Sequence, residues 1–444
     1  MKFKYIPHYK SEKTDYYTIF VTLDKEDDFD KNHQGYHIHS NKLVSDLKKL
    51  MKRLETTLET LDTNHFILHL SKTIIDNKDT HLIQHIIWKF LKKFLPWQHG
   101  PETIIVITHE DKTGHPHISD FVAFCEKIRD ARLLAMAPAN LASPDIIAKH
   151  FKNEVFSKIP RTRVNIMNQE TLKNKGFNLI LAVGNSAVNK PRLLVIERAA
   201  TSKKGTKTVC IVGKGITFDT GGLSVKDFSS IMDMKFDKTG AVYGGYALAH
   251  LLEDKAYDNI HFVGIFPFAE NAISSHSVHP GDVIKSYLGK TVEISDPDAE
   301  GRLVLADAFG YSHKFKPDLI IDIATLTGHA ELINCWHNGY YYAVPETLRN
   351  AVEKLSYDIG DPMLPMPTWD DHDDVLESPV ADLVNSPHKC EDAFVATLFM
   401  KQFIPAGAEW CHIDLSHEFD DHVPRGNGIR TIVETVRWWI GNKK

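Results

Sequence analysis

From about residue 160 onward the chain alternates short apolar runs with longer helical stretches, and no other feature restricts its possible folds as much. The runs lie at 179–183, 192–197, 208–212, 261–266, 291–294, 318–323 and 410–415. Several are almost continuously apolar, which is the pattern of strands covered on both faces. Helical stretches fall between them at 239–253, 302–313, 391–403 and 428–440. Such alternation predicts an α/β fold, with a central mixed, mostly parallel sheet flanked by helices.

The first third reads differently. At 444 residues the chain is long enough for two or three domains. Residues 17–23, 66–70 and 102–108 have the β-branched and aromatic content of strands. Ser40 is placed to cap a helix bearing Leu43, Leu47, Leu50 and Leu54 on one face. Leu82, Ile86, Phe90 and Phe94 recur every four residues in a second helix over 81–95, ended by Pro96. The glycine, proline and charge of 110–117 mark a boundary, and a helix follows over 118–134. Ser143-Pro144 is an N-cap followed by proline at the first helical position. The expected organisation is a small α/β accessory domain over 1–118, a connecting helix over 119–137, and a larger domain over 138–444. No catalytic constellation is visible in the first 118 residues.

Composition excludes several classes. With 52 Lys+Arg against 58 Asp+Glu, the net charge of −6 disfavours a protein whose main task is coating nucleic acid. No stretch approaches the roughly 18 apolar residues of a membrane span. The first eight residues have no secretory h-region. The five cysteines are scattered and odd in number, which suits a reducing cytoplasm better than a disulfide framework. The 25 histidines show no zinc-site spacing.

Two segments carry the chemistry. The first runs from Val212 through Lys214, Asp219, Gly222 and Lys226, and on to Met234-Lys235-Phe236-Asp237. The second is Asp296-Pro297-Asp298-Ala299-Glu300-Gly301-Arg302-Leu303. Lys214 and Asp219 follow an apolar strand directly, and ligands of open α/β sheets sit at that strand edge. Gly213, Gly215, Gly221 and Gly222 permit tight turns and close approach of backbone to a ligand. Asp298 and Glu300 also follow a strand, and on extended backbone residues two apart point the same way. Together with Asp219 and Asp237 they make four carboxylates, which repel one another in a low dielectric unless cations are present. Hard divalent metals with oxygen ligands answer that need, and two metals sharing bridging carboxylates are consistent with it. A phosphate-cradling loop is disfavoured, because neither the GxxxxGK[ST] nor the helix-opening GxGxxG spacing is present.

In this order, the segments resemble the signatures of the cytosolic leucyl aminopeptidase family, dinuclear-metal peptidases of clan MF. The signature GKGxTFDSGG stands here as Gly213–Gly222 with Thr220 for serine, xxMKxD ends at Asp237, and NTDAEGRL stands as Asp296–Leu303. The likeness extends to Ala131-Arg132-Leu133 through Asn140, Asp322–Gly328, Trp410–Asp414 and Gly428-Ile429-Arg430, about residues 120–444 in all.

The resemblance implies a dinuclear metallo-aminopeptidase domain over 138–444. It implies one metal on Lys214, Asp219, Asp237 and Glu300 and another on Asp219, Asp298 and Glu300, with zinc or manganese expected and magnesium or cobalt as alternatives. A lysine ligates only as the neutral amine, so Lys214 is expected to have a lowered pKa beside the metals. The resemblance gives Lys226 the role of polarising the scissile carbonyl. It gives Arg302 a bicarbonate ion that acts as base. Met234, Thr325, Leu326 and Gly328 would line the pocket for the first side chain, with leucine-like residues preferred. Peptide substrates, a homohexamer built as a dimer of trimers, and a cytoplasmic location follow from the same likeness. Some relatives bind DNA as hexamers, a role the acidic balance disfavours here, and a narrower dipeptidase is a further variant. Asp296 replaces an amide, Pro297 removes a donor, and His329 and Cys335-Trp336 replace smaller residues. These departures bear on the pocket and not on the metal ligands.

Overall fold

The computed structural model describes residues 116–443 apart from 203–205, 329–338, 368–369, 388–391, 416–418 and 421–422. It also describes residues 2–5, 17–21, 65–70, 84, 87–88 and 104–109. The chain divides into two compact units, Met1–Leu133 with Asp358–Gly360, and Leu134–Tyr357 with Asp361–Lys444.

In the first unit, β1 (Lys2–Tyr5), β2 (Tyr17–Val21), β3 (His65–Leu70) and β4 (Ile104–His109) form a parallel sheet in the order β1-β4-β3-β2. The strands expected at 17–23, 66–70 and 102–108 fall on β2, β3 and β4. The helix expected after Ser40 lies outside the described residues. Of the one expected at 81–95, Gln84, Ile87 and Trp88 are described and helical. The helix expected at 118–134 runs Pro116–Met136.

The second unit holds the larger sheet. Its strands are β5 (Arg163–Met167), β6 (Arg192–Arg198), β7 (Thr208–Gly213), β8 (Gly215–Asp219), β9 (His261–Asn271), β12 (Leu319–Ala324), β13 (Tyr340–Val344), β14 (Leu364–Pro365) and β16 (Glu409–Asp414). The order is β14-β13-β16-β12-β7-β9-β6-β5, with β8 beside β9. The central run β16-β12-β7-β9 is parallel, and β13 against β16, β6 against β9 and β5 against β6 are antiparallel. The sheet is therefore mixed, as expected. A smaller sheet joins β10 (Asp282–Lys285), β11 (Thr291–Ile294) and β15 (Leu383–Val384).

All six residues of β7 and all six of β12 are buried, which explains why they read as almost continuously apolar runs. Helix Thr239–Glu253 packs on β7, β9 and β12, with helix Ile429–Asn442 against it. Helix Glu300–Ser312 packs on β7 and β9. Ser143 and Pro144 open helix Pro144–His150 in the expected order, although the serine side chain makes no capping bond.

One expected strand is a helix. Residues 179–183 fall within helix Asn178–Gly184, one turn after helix Gln169–Lys175 ends at Gly176 with φ of 81°. The buried Asp307 carboxylate accepts from the backbone N–H groups of Leu179 and Ile180 at 2.9 and 3.1 Å, and so caps this helix from 128 residues away. A five-residue apolar run suits a strand or a buried helix equally, and here the distant cap decides.

Candidate metal centre

The functional side chains gather at the carboxyl ends of the parallel strands. Lys214 follows β7, Asp219 and Asn271 end β8 and β9, Thr325 follows β12, and Asp414 ends β16. Two glycines let the helix above come down onto this edge. A Cβ at Gly240 would lie 2.2 Å from the Ile323 carbonyl oxygen, and one at Gly213 would lie 2.6 Å from the Ala241 Cα. Close approach of that kind needs glycine. It brings Asp237, just before helix Thr239–Glu253, against Lys214.

Asp298 and Glu300 converge by a different route from the one expected. The Ala299 N–H donates to the Asp296 carbonyl at 3.2 Å, and the Asp298 N–H donates to Asp296 Oδ1 at 2.9 Å. That turn leads into helix Glu300–Ser312, which starts at Glu300 itself. A turn and a helix start, and not a pleat, therefore aim the two carboxylates together.

One ligand atom from each of Asp219, Asp298 and Glu300 lies within 4.8 Å of the others. Lys214 Nζ is 2.8 Å from Asp237 Oδ1 and 2.9 Å from Glu300 Oε1, and it donates to the Thr325 carbonyl at 2.7 Å. Lys226 Nζ is 2.9 Å from Asp219 Oδ2 and 2.5 Å from Asp298 Oδ1. Two ammonium groups thus sit among four carboxylates.

Burial opposes the charge on both lysines. For Lys214 it is outweighed by Asp237, Glu300 and Asp219, and for Lys226 by Asp219, Glu300 and Asp298, so both pKa values lie above the ordinary lysine range. The lowered pKa expected for Lys214 belongs to the metal-bound site; without a cation the ammonium itself neutralises two carboxylates. Burial raises Asp298 to about 8, with Asp219 and Glu300 adding to it and Lys226 opposing. Asp237 and Glu300 are raised chiefly by burial as well.

The donor set suits divalent cations. Asp237 Oδ2 and Glu300 Oε2 are buried with no hydrogen-bond partner. Buried carboxylate oxygens left unpaired are costly, and oxygen donors are what hard cations take.

Of the other expected residues, Thr325 donates its hydroxyl to Asp237 Oδ1 at 2.8 Å, and Leu326 donates its N–H to Asp414 Oδ1 at 3.0 Å. Met234 opens the short helical turn that ends beside Asp237. Gly328 is exposed. His329, Cys335 and Trp336 lie outside the described residues. The guanidinium of Arg302, 1% exposed, donates from Nη1 to the Asn385 carbonyl at 2.9 Å and pairs through Nη2 with the Asp392 carboxylate.

Among the supporting residues, Asn271 and Asn385 escaped the sequence, whereas Asp322, Trp410, His412 and Asp414 lie in segments that carry the family likeness. Asn271 Nδ2 donates to Asp219 Oδ1 at 2.8 Å and to the Pro297 carbonyl at 3.1 Å, tying two ligand segments together. The fully buried Asn385 accepts from Ser295 N–H at 2.9 Å and donates to the Asp296 carbonyl at 2.7 Å, which holds the turn bearing Asp298. Asp414 also accepts from the Thr327 hydroxyl at 2.7 Å. Beneath it, buried Asp322 accepts from Trp410 Nε1 at 2.6 Å and faces His412 Nδ1 at 2.7 Å. Burial opposes the His412 charge, but Asp322 outweighs it and raises the pKa. Single amides without a spacing rule give no signal in one sequence. In the segment that carries Lys226, Leu223, Val225, Phe228 and Met232 are exposed.

Fold and site together define an α/β protein with a cluster of carboxylates and lysines at its strand ends, of a donor type that suits divalent cations. Residues 129–433 match the model of the cytosol aminopeptidase family, catalytic domain, and the chain belongs to that family. A probable cytosol aminopeptidase of Methylibium petroleiphilum is 33% identical over 316 residues, covering 71% of this chain and 64% of the relative. Matches to this and two further curated relatives span just under two thirds of those proteins. A leucine aminopeptidase of Caenorhabditis elegans shares the fold with a TM-score of 0.86, at 21% identity over 99% of each chain. A bottromycin maturation enzyme in complex with manganese gives a TM-score of 0.82, at 23% identity over 96% of this chain and 100% of that one.

Proposed function

We propose that this chain is a metal-dependent aminopeptidase that removes N-terminal amino acids, leucine-like ones preferred, from peptides. The observation that carries the proposal is the convergence of Asp219, Asp298 and Glu300, joined to Asp237 through Lys214, with buried oxygens of Asp237 and Glu300 left unpaired. Lys214, Asp219, Asp237 and Glu300 would hold one divalent ion, and Asp219, Asp298 and Glu300 a second. Zinc or manganese fits first, with magnesium or cobalt as alternatives, and the pair supplies Lewis acidity and a more acidic attacking water.

The chain's own residues do the rest. Lys226, held between Asp219 and Asp298, donates to the carbonyl oxygen of the scissile bond as negative charge develops there. Thr325 fixes Asp237 through its hydroxyl and Lys214 through its carbonyl, so the substrate-facing loop and the metal ligands move as one. Met234, Thr325, Leu326 and Gly328 receive the first side chain. Bicarbonate does not fit at the terminal nitrogens of Arg302, because these already face the Asn385 carbonyl and the Asp392 carboxylate.

A cytoplasmic location accords with the naming of the relatives, and among the described residues no helix is long and apolar enough to cross a membrane. A homohexamer, a dimer of trimers, is the assembly we propose, and light scattering should give a mass near six times 50.4 kDa. Chelator-stripped protein should lose hydrolysis of leucine p-nitroanilide and regain it with manganese or zinc. Activity insensitive to the chelator excludes the mechanism.

A further inference from the structure

Arg302 carries a positive charge in a place with almost no access to water. Its side chain is 1% exposed, and its two terminal nitrogens are directed to the Asn385 carbonyl and the Asp392 carboxylate. Asp392 is the first residue of helix Asp392–Lys401, where aligned backbone N–H groups also favour an anion. The carboxylate is therefore stabilised from two sides, by the guanidinium and by the helix start. A second anion at Arg302 would meet the partly buried Asp392 as a like charge beside the fully buried guanidinium.

We propose that Asp392 is the resident anion of Arg302, filling from within the chain the position for which an external bicarbonate would otherwise be needed, so that hydrolysis does not depend on bicarbonate. Asp392 acts here as a positioning residue. It fixes the orientation of Arg302, in the first turn of the helix that begins with the metal-ligand candidate Glu300. The proposal rests on the aminopeptidase function proposed above, and binding is therefore measured separately from hydrolysis.

The full-length protein, loaded with zinc, is titrated with carbon-13 bicarbonate and followed by NMR line width, and hydrolysis is assayed in carbonate-free and bicarbonate buffers. Wild type is expected to give no saturable broadening and less than about a twofold change in kcat, whereas Asp392→Ala is expected to bind saturably, to fall about 10- to 100-fold in carbonate-free buffer, and to be rescued by bicarbonate. Asp392→Asn, which keeps the shape of the side chain and removes its charge, should behave like the alanine variant. Saturable binding to wild type with a matching rise in kcat overturns the proposal. So do folded variants that neither bind bicarbonate nor respond to it. If both variants fail to fold, the wild-type titration decides alone. A wild type inactive in every buffer counts against the proposed peptidase function and leaves the binding result to judge Asp392.

Discussion

Stripping the metals should reverse how stability depends on pH. In the arrangement described, Asp298 has its pKa raised to about 8, and Asp237 and Glu300 are raised too, all chiefly by burial. A carboxyl group whose folded pKa exceeds its unfolded value near 3.8 keeps a proton that the unfolded chain has released. Its contribution is complete below the unfolded value and is lost as pH rises through the folded one. For Asp298 that window runs from about 4 to about 8. Each bound proton changes stability by about 1.4 kcal/mol per pH unit at most. Asp298 is 31% exposed, and solvent screening leaves about half of that, or about 1–2 kcal/mol between pH 6 and 8. Asp237 and Glu300 act with the same sign. The two lysines do not oppose the trend, since their raised values place their transitions above this range.

A kcal/mol moves the melting temperature of a 150–250-residue domain by about 2–4 °C and that of a larger unit by less. Chelator-treated protein should therefore melt a few degrees lower at pH 8 than at pH 6. With saturating manganese or zinc the slope should flatten or invert, because cations bind the ionised carboxylates. The assay is a thermal melt across pH in chelator and in metal. Chelated protein that becomes more stable toward pH 8 would refute the assignment of burial as the dominant influence on these carboxylates.

Other substitutions probe the site piece by piece. Asp219→Ala should lower kcat/KM at least about 1,000-fold, about 4 kcal/mol, in a steady-state peptide assay, since it removes the proposed bridge between two cations. Asn271→Leu deletes the donors to Asp219 and Pro297 and should lower kcat about 10- to 100-fold, with metal affinity measured in parallel by chelator competition. Asn385→Ala unties the turn before Asp298 and should weaken metal binding by a similar factor in the same competition. Asp307→Asn should remove a part of the pH dependence that metals do not touch. Burial raises that carboxyl to about 7 against the backbone N–H groups of Tyr287, Ile180 and Leu179, and metal-saturated melts would isolate the effect.

The parallel core was legible because its strands are buried on both faces and so spell themselves in Val, Ile and Cys, as in Thr208–Gly213 and Leu319–Ala324. The run at 179–183 has the same spelling and became a helix, since Asp307, far along the chain, supplies its first N–H groups with an acceptor. The ligand candidates were legible by residue type and by their place after strands. How they converge was not: Asp298 and Glu300 meet through a turn that Asn385 holds from 85 or more residues away. Asn271 and Asp392 were invisible for a similar reason. Their partners are remote in sequence, and neither belongs to a recurring spacing.

The contacts at Gly213 and Gly240 bear on how such a protein can diverge. No side chain can be added at either position without lifting a helix from the sheet, so the floor of the site is closed to gradual alteration. The exposed apolar residues Leu223, Val225, Phe228 and Met232, flanking Lys226 in the chain, have no such constraint. New substrate preferences in this lineage, natural or engineered, should accumulate at those positions while the floor stays fixed.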